Sequence, residues 1–142
     1  MKTVAQMLKL KPSGVASIGP DVPVVDALKL LAERDVGAVL VMDGQRLVGI
    51  LSERDYARKV ALKGKSSSTT PVNEIMTREV VFVTPEQTNE DCMALMTAKR
   101  LRHLPVIDND RVVGVLSIGD LVKDTISEQQ FIIDQLEHYI HR

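Results

Sequence analysis

Aromatic side chains are almost absent from this 142-residue sequence, in which two Tyr, two Phe and no Trp make up 3% of the residues. A chain of this length can bury most of its unfolded surface, and 44% of its residues are hydrophobic. Its core must therefore be aliphatic. The single cysteine, Cys92, excludes an intrachain disulfide and any metal site built from several thiolates.

The sequence also has no large excess of charge of either sign, since it contains 18 basic and 19 acidic residues. A nucleic-acid surface needs clustered basic charge, so this balance argues against one. No apolar run approaches the ~20 residues that cross a bilayer. The first residues, Met1 to Val4, show no apolar segment of a secretory signal. We therefore expect a cytoplasmic protein that binds neither nucleic acid nor membrane.

The sequence contains an internal repeat. Residues 49–55 (GILSERD) align with residues 114–120 (GVLSIGD) at an offset of 65, and the same offset pairs Pro20 with Pro85. Upstream, residues 4–8 resemble residues 72–76 at an offset of 68, so the first repeat has three extra residues near positions 11–13. One register that holds through turn, strand and polar positions indicates a duplication.

Each repeat has the pattern strand, helix, strand, strand, helix. A short apolar strand is predicted at 15–18 and again at 80–83. An amphipathic helix follows, with Val24, Ala27, Leu28 and Leu31 on one face in the first repeat and an N-cap at Thr88 in the second. Two hairpins complete the pattern, the first turning at Asp43-Gly44 and the second at 108–110.

The last helix of each repeat is predicted to begin at a Ser-x-x-Asp sequence, Ser52 to Asp55 and Ser117 to Asp120, which resembles a capping box. Gly64 is expected to end the first of these helices. The domain boundaries that follow are 1–64 for repeat 1, 65–71 for a polar linker, 72–126 for repeat 2 and 127–142 for a C-terminal helix. An apolar face marks that helix: Ile132, Ile133, Leu136, Tyr139 and Ile140.

The duplicated sequence resembles the cystathionine-β-synthase (CBS) domain family. The resemblance is carried by the two Gly-apolar-apolar-Ser-x-x-Asp segments, by residues 102–108 (RHLPVID) and by residues 74–77 (EIMT), and it extends over nearly the whole chain. It implies an α+β fold of two β-α-β-β-α repeats packed about a pseudo-twofold axis, similar to stand-alone bacterial CBS pairs (Bateman modules). It also implies two clefts between the repeats and a homodimer of pairs.

Within this resemblance, the start of the second Ser-x-x-Asp helix is the first candidate site. Backbone N–H groups at Ser117, Ile118 and Gly119 would be unsatisfied donors that suit a phosphate. Asp120 offers two acceptors for a ribose diol. Arg102 and His103 precede the adjacent strand and can add positive charge. The family analogy places adenine contacts on the other repeat: Ile18, Gly19, Val36 and Gly37.

A second candidate site is the equivalent position in repeat 1. It uses Ser52, Arg54 and Asp55, with Arg58 able to reach a phosphate; the other repeat would contribute Thr84, Leu101 and Arg102. Because Gly37-Ala38 replaces Arg102-His103, this cleft has fewer side-chain cations. We therefore expect occupancy first at Asp120. The alternative for each Ser-x-x-Asp is a helix cap and nothing more.

Two functions remain open for such a chain. The first is a non-catalytic regulatory module that binds AMP, ADP, ATP or NAD and signals energy or redox state to an unidentified protein partner. The second is a constitutive dimerisation module without a ligand. The sequence contains no phosphate-binding loop, zinc helix or nucleophile motif, so we expect neither an enzyme, nor a metal site, nor a catalytic cofactor.

Overall fold

Six helices and five strands make up the part of the chain that the computed structural model describes, residues 1–12 and 14–140. The order is α1 (Val4–Lys9), β1 (Ser17–Ile18), α2 (Val24–Arg34), β2 (Ala38–Asp43), β3 (Arg46–Ser52), α3 (Glu53–Tyr56), α4 (Val72–Ile75), α5 (Asn89–Lys99), β4 (His103–Asp108), β5 (Arg111–Ser117) and α6 (Ile118–Ile140). The two repeats therefore share the order helix, helix, hairpin, helix; repeat 1 has in addition the short strand β1, and α6 supplies the C-terminal helix. No helix of these residues is both long and apolar enough to cross a bilayer.

Both hairpins form where the sequence predicts them. β2 pairs antiparallel with β3, and Gly44 takes a φ of +63° in the connection. β4 and β5 form a two-stranded sheet, with Asn109 and Asp110 at φ values of +51° and +62°. Asparagine and aspartate tolerate this left-handed backbone better than most residues do, which explains why both turns use such residues or glycine.

The helix starts follow from side-chain caps. Thr88 accepts a hydrogen bond from the N–H of Asp91, whose carboxylate accepts from the N–H of Thr88. Ser52 and Asp55 cap α3 in the same reciprocal way. Each arrangement satisfies two backbone donors at a helix end. After α3 the chain continues through one wider π-type segment, Ala57–Ala61, and Gly64 follows it with a φ of +67°.

Two predicted elements differ from the structure. The strand expected at 80–83 is reduced to one parallel bridge between Val83 and Val106. The helix expected to begin at Ser127 is the second half of α6, which runs without a break from Ile118. Because the chain from Leu121 to Ser127 contains no helix breaker, nothing stops α6 before Ser127. Positions 141 and 142 of the predicted helix lie outside the described residues.

The chain separates into two compact units that do not follow the order of the repeats. One unit consists of three segments that begin at Met1, Phe82 and Gly114; the other consists of Gly14–Val81 and Asn109–Val113. The segment that leads into repeat 1 thus belongs with the body of repeat 2. The start of repeat 2, in turn, belongs with the body of repeat 1.

Hydrogen bonds and packing show the same exchange inside each unit. In the first unit, the N–H of Val4 donates to the carbonyl of Gln87 at 2.7 Å, and Thr3 forms a bridge with Thr88. In the second unit, Val72 and Ile75 of α4 are 0% and 1% exposed. They pack in an aliphatic cluster with residues of α2, β2 and β3: Val24, Ala27, Leu31, Val39, Val41 and Leu51.

Candidate functional site

The start of α6 places Asp120 at the end of β5. Its Oδ2 atom accepts hydrogen bonds from the N–H of Ser117 at 2.8 Å and from the Ser117 hydroxyl at 3.1 Å. In return, the N–H of Asp120 donates to the Ser117 hydroxyl at 3.2 Å. The predicted cap therefore forms. Within the described residues the Oδ1 atom of Asp120 has no partner, and 24% of the side chain is exposed.

The backbone donors at this helix start are less available than the sequence suggests. The N–H of Ile118 donates to the carbonyl of Arg102 at 2.8 Å, and the N–H of Ser117 is held by Asp120. Of the three groups expected to be free, only the N–H of Gly119 finds no acceptor in the part of the chain that the structure describes. The expectation of three free donors was wrong, because the Asp120 cap and the carbonyl of Arg102, just before β4, already use two of them.

A side chain that the sequence did not indicate lies at the centre of this region. The Lys11 ammonium donates to Asp120 Oδ2 at 2.8 Å and to the carbonyl of Val115 at 2.7 Å. Burial alone would raise the pKa of Asp120, but the Lys11 bond and the Ser117 N–H outweigh burial and hold the pKa below its usual range. The one available signal was that Lys11 falls among the three extra residues of repeat 1.

Lys11 and Asp120 line a cleft of about 210 Å³ between α1 and α6. Three lysines and two aspartates contribute to its wall, so its lining carries a net charge of +1. The residues that line it are Lys2, Lys11, Lys123, Asp120, Asp124, Ser127, Met7, Leu10 and Pro12. All of them belong to one unit. A cleft of this kind can accommodate an anion beside an acceptor for hydroxyl groups.

The predicted cations Arg102 and His103 lie in the same unit. His103 begins β4 and is partly buried, whereas Arg102 is exposed. Burial lowers the pKa of His103, and the positive charges of Lys11 and Arg102 lower it further against the opposing charge of Asp120. At neutral pH His103 is therefore an uncharged imidazole that can donate or accept a hydrogen bond, and not a fixed cation.

One turn further along α6, Asp124 forms a second ion pair with the N-terminal segment. Lys2 donates to Asp124 Oδ1 at 2.6 Å, and Asn89 donates to Asp124 Oδ2 at 2.6 Å. Burial raises the pKa of Asp124, but these two bonds outweigh burial and lower it overall. The carboxylate is 4% exposed. Asp124 thus fixes the segment before α1 against α6 and has no open acceptor.

The equivalent position in repeat 1 is occupied by the protein's own side chains. Asp55 Oδ2 accepts from the N–H and the hydroxyl of Ser52 at 2.9 and 3.1 Å. Its Oδ1 atom accepts from the Thr77 hydroxyl at 3.2 Å and lies 3.0 Å from the Lys59 ammonium. Both oxygens are used, and only 12% of the side chain is exposed. Of the two aspartates, only Asp120 keeps an oxygen that has no partner among the described residues.

Comparison with known proteins identifies the family. The model of the CBS domain matches the chain twice, at residues 12–62 and 72–126. The chain belongs to the CBS domain family. The mitochondrial CBS domain-containing protein CBSX3 of Arabidopsis thaliana is 42% identical over 125 residues, which are 84% of this chain and 61% of that protein. The chain therefore spans less than two thirds of this relative.

Solved structures give the same result for the CBS fold. A candidate signal-transduction protein with CBS domains from Burkholderia ambifaria is 51% identical, with a TM-score of 0.87 over 90% of this chain and 96% of its own. The CBS domain pair of protein MJ0100, solved in complex with 5′-methylthioadenosine and S-adenosyl-L-methionine, has a TM-score of 0.79 over 90% of this chain and 98% of its own. It is 22% identical, so this likeness concerns the fold alone.

The remaining predicted residues of the CBS pair divide between the two units. One unit contains the residues around the start of α6 and those assigned to the second cleft from repeat 2: Ser117, Ile118, Gly119, Asp120, Arg102, His103, Thr84 and Leu101. The other unit contains the residues of repeat 1: Ile18, Gly19, Val36, Gly37, Ser52, Arg54, Asp55 and Arg58. In the second unit, the carbonyl of Gly37 accepts from the N–H of Glu53 at 3.0 Å, which repeats the bond between Arg102 and Ile118. Arg54 and Arg58 are exposed and form no ion pair within the described residues.

Proposed function

We propose that this CBS pair is a non-catalytic regulatory module that binds an adenine nucleotide at Asp120 and passes the binding event to a protein partner. The observation that carries the proposal is the contrast between the two equivalent aspartates. Asp120 keeps one carboxylate oxygen open next to Lys11, while both oxygens of Asp55 are held by neighbouring side chains. A ribose diol needs such an open acceptor.

The nature of the ligand follows from the groups around that oxygen. Lys11 and the N–H of Gly119 are donors for a phosphate, and Asp120 is an acceptor for ribose hydroxyls. The adenine contacts assigned to Ile18, Gly19, Val36 and Gly37 remain predictions. The complex of the MJ0100 pair with two adenosyl compounds supports an adenosyl ligand, and AMP, ADP, ATP and NAD are the candidates.

Signalling requires that the ligand favour one arrangement of the protein over another. A micromolar ligand contributes about −8 kcal/mol, which is ample to shift a balance of a few kcal/mol if the affinities differ. Asp120 and Asp124 lie one turn apart on α6, and each is paired with a lysine of the N-terminal segment. Binding at Asp120 would therefore act directly on the helix that carries the exposed C-terminal face.

The test is ligand-dependent thermal stability of the purified protein after removal of co-purified nucleotide. The panel is AMP, ADP, ATP, NAD, NADH and S-adenosylmethionine, with Asp120→Asn and Asp55→Asn as a matched pair. A ligand at 100 times its Kd should add about 2.7 kcal/mol. We expect the shift to disappear in Asp120→Asn and to persist in Asp55→Asn. A flat response of the wild type across the panel would contradict the proposal.

A second candidate function, homodimerisation without a ligand, is favoured by the surface of α6. Its C-terminal half exposes large apolar side chains at between 47% and 72% of their surface: Phe131, Ile132, Ile133, Leu136, Tyr139 and Ile140. Contiguous apolar surface of this kind commonly marks an interaction site. Light scattering of Leu136→Glu tests this reading: a dimer that dissociates in the variant supports it, and a wild-type monomer at high concentration contradicts it.

A further inference from the structure

The geometry points to Lys11 as the residue that makes the Asp120 site selective for phosphorylated adenosine compounds over uncharged or cationic adenosyl compounds. This inference rests on the proposed function and names the class of ligand for that site. Lys11 lies 109 residues from Asp120 in the sequence, yet its ammonium bonds directly to the carboxylate that would read the ribose.

Among the residues that the structure describes, the coordination of Lys11 leaves one donor for a ligand. An ammonium has three N–H donors. Two are used by Asp120 Oδ2 at 2.8 Å and by the carbonyl of Val115 at 2.7 Å. Because 32% of the Lys11 side chain is exposed and it lines the cleft, its third donor can meet an anion without breaking the bond to Asp120.

Lys11 is the positioned cation of this region. Ile118 and Ser117 have already used their backbone N–H groups, and the lowered pKa of His103 leaves it uncharged at neutral pH. A phosphate at this helix start can then meet the N–H of Gly119, Lys11, the exposed Arg102 and the exposed Lys123 of the same cleft. Of these three cations, Lys11 is the one that two hydrogen bonds within the described residues hold in place.

Repeat 1 shows what a lysine does when the site is closed. The Lys59 ammonium contacts Asp55 Oδ1 at 3.0 Å and the carbonyl of Ile75 at 3.0 Å, while Thr77 takes the same Oδ1 atom. At Asp120 the lysine is on Oδ2, so Oδ1 stays open. The choice of oxygen thus leaves room for ribose in one repeat and removes it in the other.

The consequence is a ligand preference that differs from the compounds bound by the MJ0100 pair. 5′-Methylthioadenosine and S-adenosylmethionine carry no phosphate, and S-adenosylmethionine has a sulfonium cation. The third N–H of Lys11 can donate to a phosphate oxygen, whereas a thioether or sulfonium sulfur offers it no anionic acceptor. AMP presents a dianion at the same end of the ribose. A charge-assisted hydrogen bond corresponds to roughly 10- to 100-fold in affinity.

The experiment is calorimetric titration of the wild type and Lys11→Met with AMP, adenosine and S-adenosylmethionine. We expect wild type to bind AMP at least tenfold more tightly than adenosine. Lys11→Met should lose at least tenfold in AMP affinity while its adenosine affinity changes less than threefold. Lys11→Arg, which keeps the charge, should retain most of the preference. Circular dichroism and thermal unfolding verify that each variant is folded.

A control variant separates a positioned lysine from simple charge. Lys9→Met removes an exposed cation from the end of α1, outside the residues that line the cleft. It should change AMP affinity less than threefold. An equal loss in Lys9→Met and Lys11→Met, or an unchanged ratio of AMP to adenosine affinity in Lys11→Met, would overturn the inference.

The outcomes also distinguish this inference from the proposed function. If wild type binds adenosine as tightly as AMP, Lys11 selects nothing, although the adenosyl site stands. If wild type binds none of the three compounds and ADP, ATP and NAD do not stabilise it in the thermal panel either, both the site and the selectivity are wrong.

Discussion

Loss of the Lys2 ammonium should destabilise the fold by an amount that depends on pH. Asp124 is 4% exposed, and its Oδ1 atom is bonded to Lys2 at 2.6 Å. In Lys2→Met this oxygen would keep its charge without a partner, while Oδ2 would still accept from Asn89. We expect a clear loss of unfolding free energy at neutral pH.

The size of the loss lies between two limits. Removing one partner of a fully buried ion pair costs about 3–5 kcal/mol, whereas exposed pairs contribute about 0–1 kcal/mol. Asp124 is buried, but 36% of the Lys2 side chain reaches solvent, so water can partly replace it. We therefore expect about 2 kcal/mol. Lys2→Met combined with Asp124→Asn should recover part of this, because no buried charge remains.

The pH dependence has a definite sign. The pKa of Asp124 is lowered in the folded protein, so its stabilisation is present above the unfolded value near 4 and is lost as pH falls through the folded value. The difference between wild type and Lys2→Met should accordingly shrink toward pH 3. Urea unfolding at pH 7 and at pH 3 measures both quantities. A cost below about 0.5 kcal/mol at pH 7, or a cost independent of pH, would refute this reasoning.

Three further predictions concern single positions. Gly114→Ala should lower the free energy of unfolding in urea by about 1–3 kcal/mol, because a Cβ there would lie 2.6 Å from a methyl group of Leu8. Gly19→Ala is the control and should change this free energy little, because a Cβ there would have nothing within 4 Å. Burial, with a smaller contribution from Asp91, raises the pKa of Cys92 to about 11, and the residue is 0% exposed. Iodoacetamide at pH 8 should therefore label Cys92 only at the rate at which the protein unfolds. Fast labelling of the folded protein would contradict its burial. Because the fold lowers the pKa of His103, the stabilisation from its uncharged form should be complete above the ordinary pKa near 6.5 and should be lost as the pH falls below that value. His103→Gln should flatten this part of the plot of unfolding free energy against pH. An unaltered plot would show that His103 does not cause the pH dependence.

Local chemistry explains why much of the fold could be predicted from the sequence. Caps at Ser52, Thr88 and Ser117 depend on residues only three positions away, and the structure confirms all three. The hairpin turns are equally local. The prediction of a strand at 80–83 was wrong because an apolar β-branched run indicates burial, whereas a strand also needs a bridge partner. Within this range Val83 alone has one.

The candidate site was less predictable because its decisive contact is long-range. The capping pair of Ser117 and Asp120 could be read from spacing, but Lys11 comes from the other end of the chain. The number of free backbone donors was overestimated because the carbonyl of Arg102, a residue outside the helix, accepts the hydrogen bond from the N–H of Ile118. Spacing within one segment predicts which groups exist, and only the fold shows which of them are already bonded.

The exchange of leading segments has a consequence for how the chain can be divided and how it arose. A fragment that ends at the linker would lack Val72 and Ile75 and would leave a hole among Val24, Val39 and Leu51. Neither repeat is therefore expected to fold as an isolated half. Before the duplication, a single repeat could have completed its core only by borrowing this segment from a second copy. Fusion of the two genes would have turned an obligate, segment-swapped dimer into one covalent chain. The linker at 65–71 would then be the segment that joined the two copies.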